Sequence, residues 1–89
     1  MQRSALDLLA CPIDKHYPLE LYELAVRGDE ISEGLLYCTK CGRYYPISEE
    51  IPIMLPDELR KIKDDLEFLK KWQERLPDKV IKQGNPWHL

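Results

Sequence analysis

The chain has 89 residues, a third of them charged, a net charge of -3 and three cysteines. A single domain of this size buries only a modest core, so a metal staple makes physical sense, and a mildly acidic chain is a poor candidate for holding nucleic acid alone, since phosphate binding rests on lysine and arginine releasing counterions. No segment approaches the roughly 20 apolar residues of a membrane span and no signal-peptide core is visible in Met1–Asp7, so a cytoplasmic protein is expected.

In chain order, Ser4 is placed to cap a short helix through Leu6, Leu8 and Leu9, which Pro12 stops, leaving Cys11 in a turn. Residues 18–26 alternate as a strand, with Leu19, Leu21 and Glu23 on one face and Glu20, Tyr22 and Leu24 on the other. Arg27-Gly28-Asp29-Glu30 is a turn signal, and residues 31–38 return as a second strand that brings Cys38 back near Cys11. Residues 43–47 form a short strand, and residues 51–55 another extended piece. This last piece is apolar on both faces, yet Pro52 lacks the amide a central strand needs. It reads as an edge strand, open either to another chain by strand addition or to cover by the C-terminal helix.

That helix is expected after Pro56, with Asp57 as its N-cap, running to about residue 75 before Pro77. Leu59, Ile62, Leu66, Leu69 and Trp72 or Leu76 form its apolar stripe, facing the sheet, a partner groove or a second copy. The tail ends in Asn85-Pro86-Trp87-His88-Leu89, whose Trp87 must dock or form a sticky patch, with His88 solvated. The expected fold is α+β: a small antiparallel β-sheet with a zinc-ribbon-like site, a short N-terminal helix and a longer C-terminal amphipathic helix. Residues 1–56 make the ribbon-like unit, and residues 57–89 the helix and tail packed on it or extending from it.

The chemistry sits at Cys38-Thr39-Lys40-Cys41-Gly42. A Cys-x2-Cys turn aims two thiolates at one ion about 2.3 Å away, and a following glycine supplies left-handed backbone. The third cysteine, Cys11, is followed three residues later by Asp14 where a second knuckle would carry cysteine. A carboxylate oxygen binds zinc at about 2.0–2.2 Å, so Cys11, Asp14, Cys38 and Cys41 can close a tetrahedral site, with His16 as the rival fourth ligand. Three cysteines cannot make a complete disulfide set, and a thioredoxin-like redox pair wants a helix after its first cysteine, whereas the flanks here read as strands.

The runs Leu8-Leu9-Ala10-Cys11-Pro12-Ile13-Asp14, Leu36-Tyr37-Cys38-Thr39-Lys40-Cys41-Gly42-Arg43-Tyr44-Tyr45-Pro46-Ile47 and Ile51-Pro52-Ile53-Met54-Leu55-Pro56 carry a resemblance. Over roughly residues 4 to 58 the chain resembles the small zinc-binding methyltransferase-activator family, Trm one-twelve, in its compact archaeal type. The resemblance implies no catalysis by this chain and no S-adenosylmethionine bound by it. It implies a structural Zn²⁺ and a heterodimer with class I S-adenosylmethionine-dependent methyltransferases acting on tRNA, ribosomal RNA or a translation termination factor, so that nucleic acid is met only through the partner. Docking by strand addition would use Tyr45, Pro46, Ile47, Ile51, Pro52, Ile53, Met54 and Leu55. Asp14 departs from the family's commoner cysteine. Three other functions compete: a zinc ribbon binding RNA directly through Lys40, Arg43, Tyr44 and Tyr45, a thiol enzyme using Cys38 and Cys41, and a homodimer built on the helix stripe.

Overall fold

A computed structural model describes all residues, 1–89. Four antiparallel strands lie in sequence order: β1 (Glu20–Arg27), β2 (Glu30–Tyr37), β3 (Tyr44–Ser48) and β4 (Ile51–Pro52). A 3₁₀ helix, Arg3–Leu8, precedes them; helices α1 (Ile62–Trp72) and α2 (Asp78–Ile81) follow. No helix is long and apolar enough to cross a membrane. The antiparallel α+β architecture is the one the sequence patterning predicts.

Alternation along the strands loads both faces of the sheet. Leu19, Leu21, Ile31, Leu36, Tyr45 and Ile47 pack on one face with Cys11, Cys38, Met54 and the N-terminal residues Ala5, Leu6 and Leu9. Leu24, Leu35, Tyr37 and Tyr44 pack on the other, beneath Leu69 of α1, Leu76 of the segment between the helices, Val80 and Ile81 of α2, and Trp87 of the tail. Each fully buried Leu or Ile contributes about 1.5–3 kcal/mol, so residues 62–89 supply a second core rather than an appendage. The β2–β3 register sets Tyr37 against Tyr44 and Leu36 against Tyr45. Glu49 and Glu50, both left-handed at φ 50° and 70°, make the tight turn into β4.

Several expectations change. Ser4 caps nothing: the N-terminal helix is 3₁₀, begins at Arg3 and has no side-chain cap, and Leu8 is exposed. The strand expected over 51–55 is regular only at Ile51–Pro52, with one further ladder bond from the Ile53 amide to the Pro46 carbonyl, 2.8 Å. The single helix expected over 57–75 is interrupted. Asp57–Leu59 is a 3₁₀ turn, Arg60 and Lys61 are extended, and α1 starts at Ile62.

The interruption follows from where two side chains are wanted. Asp57 does not cap; it receives a two-pronged bond from Arg43 at 2.9 and 2.7 Å. Arg60, its side chain only 3% exposed, lies over the rings of Tyr44 and Tyr45, 4.8 and 5.4 Å from their centroids, and donates through Nε to Asp65 at 2.8 Å. A continuous helix could not deliver that guanidinium to the sheet. The apolar stripe shortens with it: Leu66, Leu69, Trp72 and Leu76 face the sheet, whereas Leu59 and Ile62 are exposed.

Candidate metal centre

The two turns that carry the cysteines are built alike. In the second, the Cys38 amide donates to the Arg43 carbonyl at 2.8 Å, and the Gly42 amide returns to the Cys38 carbonyl at 2.9 Å. In the first, the Cys11 amide donates to the His16 carbonyl at 2.9 Å, and the Lys15 amide returns to the Cys11 carbonyl at 2.8 Å. Residues Lys15 and Gly42, four after each cysteine, are both left-handed, at φ 64° and 75°. Asp14 therefore occupies in the first knuckle the place Cys41 holds in the second. The spacing of the sequence carried that signal for Asp14, but Lys15 gave none, because lysine rarely takes a left-handed conformation.

The hairpin of β1 and β2 closes the two turns on each other. The ligand atoms of Cys11, Asp14, Cys38 and Cys41 all lie within 4.8 Å of one another. A zinc ion held at about 2.3 Å from sulfur and about 2.0 Å from oxygen in tetrahedral geometry sets its ligands about 3.8 Å apart for two sulfurs and about 3.5 Å for sulfur and oxygen. Here Cys11 Sγ lies 3.7 Å from Cys41 Sγ, and Cys38 Sγ lies 3.6 and 3.5 Å from the two Asp14 oxygens. The cysteines are free thiols, and the three-sulfur, one-oxygen set fits a zinc ion. His16 is not in the group: its Nε2 pairs with Thr39 Oγ1 at 3.1 Å, and its contribution is an amide bond to Asp14 Oδ1 at 3.0 Å.

Electrostatics distinguish the four groups. The His16 amide is the main cause that holds the Asp14 carboxyl down to about 2. Burial pushes the Cys38 thiol up to about 12, against the pull of the Cys41 and Lys40 amides. Burial also raises Cys11, but the Tyr45 hydroxyl, 3.1 Å from its sulfur, and the Asp14 and Ile13 amides outweigh it and leave Cys11 below the ordinary thiol value. Tyr45 was expected at a partner surface. It is instead fully buried and touches the sulfur.

The residues expected at the docking edge divide. Tyr45, Pro46 and Ile47 are buried within the chain, while Ile51 and Ile53 are exposed, 63% and 40%, and Pro52, Met54 and Leu55 are half-buried. Leu69 of α1 packs with Leu76, Val80 and Ile81 on the residues of β1 to β3, and β4 is an edge of the sheet. The direct RNA-binding reading loses its aromatic platform, because Tyr44 and Tyr45 are both 0% exposed and Arg43 is committed to Asp57. A redox pair is disfavoured as well: Cys38 and Cys41 lie in the turn between strands β2 and β3, not at the start of a helix. The tail docks through Trp87, whose indole N–H donates to Asp65 at 2.9 Å and whose carbonyl accepts from the Tyr44 hydroxyl at 2.8 Å. His88 stays exposed.

Residues 3–50 match the family described as Trm112p-like protein. A UPF0434 protein of Rhodopseudomonas palustris is 45% identical over 62 residues, which cover 70% of this chain and 80% of the relative. A UPF0434 protein of Pseudomonas putida is 43% identical over 65 residues, covering 73% of this chain and 92% of the relative. Among solved structures, the Haloferax volcanii Trm112 methyltransferase activator, determined in complex with a candidate methyltransferase, matches with a TM-score of 0.64 and 45% identity over 67% of this chain and 100% of that one. With more than half its length matched by the family and bacterial-named relatives aligned over most of their own length, the chain belongs to the Trm112p-like family.

Proposed function

We propose that this chain is a non-catalytic subunit that binds, stabilises and activates a class I S-adenosylmethionine-dependent methyltransferase acting in the cytoplasm on tRNA, ribosomal RNA or a translation termination factor. The observation that carries the reading is the likeness to the Haloferax volcanii activator, which this chain matches over 100% of that protein's length and which was determined together with a candidate methyltransferase.

Docking is assigned to the open edge of β4. The Ile53 amide turns inward to Pro46, so by strand alternation the Pro52 carbonyl faces away from the sheet. An added strand would run along this edge, with Ile51 and Ile53 as its exposed apolar contacts. Cys11, Asp14, Cys38 and Cys41 would hold a structural zinc ion, which supplies a cross-link between the turn before β1 and the turn before β3. The physical mechanism is mass action: a subunit that binds only the folded enzyme stabilises it by about 2.7 kcal/mol at a hundredfold excess over Kd.

Co-expression with each class I methyltransferase of the same organism tests this reading. One of them should become soluble as a one-to-one heterodimer, melt at a higher temperature and transfer methyl groups faster. Enzymes that are equally soluble, stable and active without this chain would contradict it.

A further inference from the structure

The C-terminal tail lies beyond the residues matched by the family, yet it touches the second knuckle where the ligands are fixed. The Asn85 amide donates to the Gly42 carbonyl at 2.9 Å, and the Asn85 side-chain amide donates to the Cys41 carbonyl at 2.8 Å. A Cβ on Gly42 would stand 3.0 Å from that same Asn85 nitrogen. Residue 85 thus runs as a short parallel bridge beside Arg43. The first knuckle has no counterpart: none of the backbone bonds outside the helices and strands ends on the Asp14 or Lys15 carbonyl.

The tail is held in place by groups of its own. The Gly84 amide donates to the Val80 carbonyl at 3.1 Å, and the Leu89 amide to the Ile81 carbonyl at 3.0 Å. Gly84 is pressed against the Tyr44 ring, whose nearest carbon would lie 2.8 Å from an added Cβ. Three residues on, Trp87 is tied to Asp65 and Tyr44. Asn85 is therefore presented by a rigid frame rather than by a loose end.

From this geometry we infer that the tail is a positioning strap for the metal site, with Asn85 as the residue that fixes the Cys41–Gly42 backbone. Cys41 is itself one of the four clustered groups and Gly42 closes its turn, so holding both of their carbonyls fixes the backbone from which the Cys41 sulfur projects. Groups of this kind, one bond removed from the ligands, set metal affinity by orienting what the metal sees. Coupling is reciprocal: if the docked tail tightens zinc, bound zinc tightens the tail. The inference rests on the reading of Cys11, Asp14, Cys38 and Cys41 as a zinc site.

The experiment uses the full-length chain loaded with zinc, wild type and Asn85→Ala, with Trp87→Phe as the second variant because it cuts the Asp65 bond while keeping the aromatic packing. Zinc release to excess chelator and amide hydrogen exchange at Gly84 and Asn85 are measured with and without metal. Asn85→Ala should release zinc about 10- to 100-fold faster, the range usual for such supporting partners. Trp87→Phe should release it faster to a smaller degree, and stripping the wild type should increase exchange at both tail amides. Release rates equal to wild type in both variants, or tail exchange indifferent to metal, would overturn the strap. A wild-type chain that takes up no zinc would remove the metal reading itself, a different result from a zinc-loaded chain that ignores its tail.

Discussion

Lys15 and Gly42 hold equivalent positions in two separate turns. Each is left-handed, at φ 64° and 75°, and each sends its amide back to the carbonyl of the cysteine four residues earlier. The equivalence makes the site a pair of knuckles related by repetition, although only one of them contains two cysteines.

The pair is unequally matched to its backbone. Glycine adopts this conformation freely, whereas a residue with a Cβ loses about 1–2 kcal/mol there, partly offset by the larger entropy glycine gives up on folding. Lys15→Gly should therefore stabilise the protein by about 0.5–1 kcal/mol, and Gly42→Ala should destabilise it and disturb Asn85 besides. Urea midpoints of the two variants check both signs; a less stable Lys15→Gly would contradict the equivalence.

Because Asp14 occupies the place of a cysteine, Asp14→Cys should complete a four-thiolate site without backbone movement and hold zinc more tightly against a chelator. Asp14→Ala should release zinc faster than wild type and His16→Ala much less so, since His16 reaches the site only through its backbone amide. A His16 variant that loses zinc as readily as the Asp14 variant would show that the ring, not the carboxylate, is the ligand.

Arg60, Asp65 and Trp87 form a buried polar chain in which one Asp65 oxygen accepts from both the guanidinium and the indole. Arg60 Nη1 and Nη2 are buried with no hydrogen-bond partner, so the one ion pair this cation makes is the bond from its Nε to Asp65. Asp65→Ala should cost about 3–5 kcal/mol, the range for stranding a buried charge. Thermal melting reads this directly, and a loss of under about 1 kcal/mol would mean that the rings alone satisfy Arg60.

The Arg43–Asp57 pair sets a pH dependence. The bond from Arg43 is the main cause that depresses the Asp57 carboxyl below its usual range. A depressed carboxyl contributes stability that is present above its unfolded value near ~3.9 and is lost as pH falls through the lower folded value. The stability difference between wild type and Asp57→Asn should be constant from pH 7 to about 5 and shrink below about 4. A difference that stays level across the acid range would show that the pair is spent on solvent.

Much of this was legible in the sequence. Alternation in residues 19–24 put Leu21 and Leu24 on opposite faces, and the turn at Gly28 and the Cys-x2-Cys spacing assembled the ligand cluster without help from the tail. Local pattern failed where a distant partner decided the conformation. Asp57 looked like a helix cap until Arg43, 14 residues earlier, claimed it, and the helix could not start until Arg60 had reached the tyrosines. Tyr45 looked like a surface residue because strands usually show one face to water, but here the N-terminal turn and α1 cover both. Asn85 left no trace in the sequence, since its partners are backbone carbonyls 44 and 43 residues away.

The central claim is a zinc-bearing subunit of a methyltransferase heterodimer, and native mass spectrometry of the protein purified from its own cells without chelator tests it most directly, reading metal and bound chains in one spectrum. The account predicts a one-to-one complex with a class I methyltransferase carrying one zinc ion on this chain. A metal-free monomer or homodimer, with no methyltransferase in any state, would contradict it.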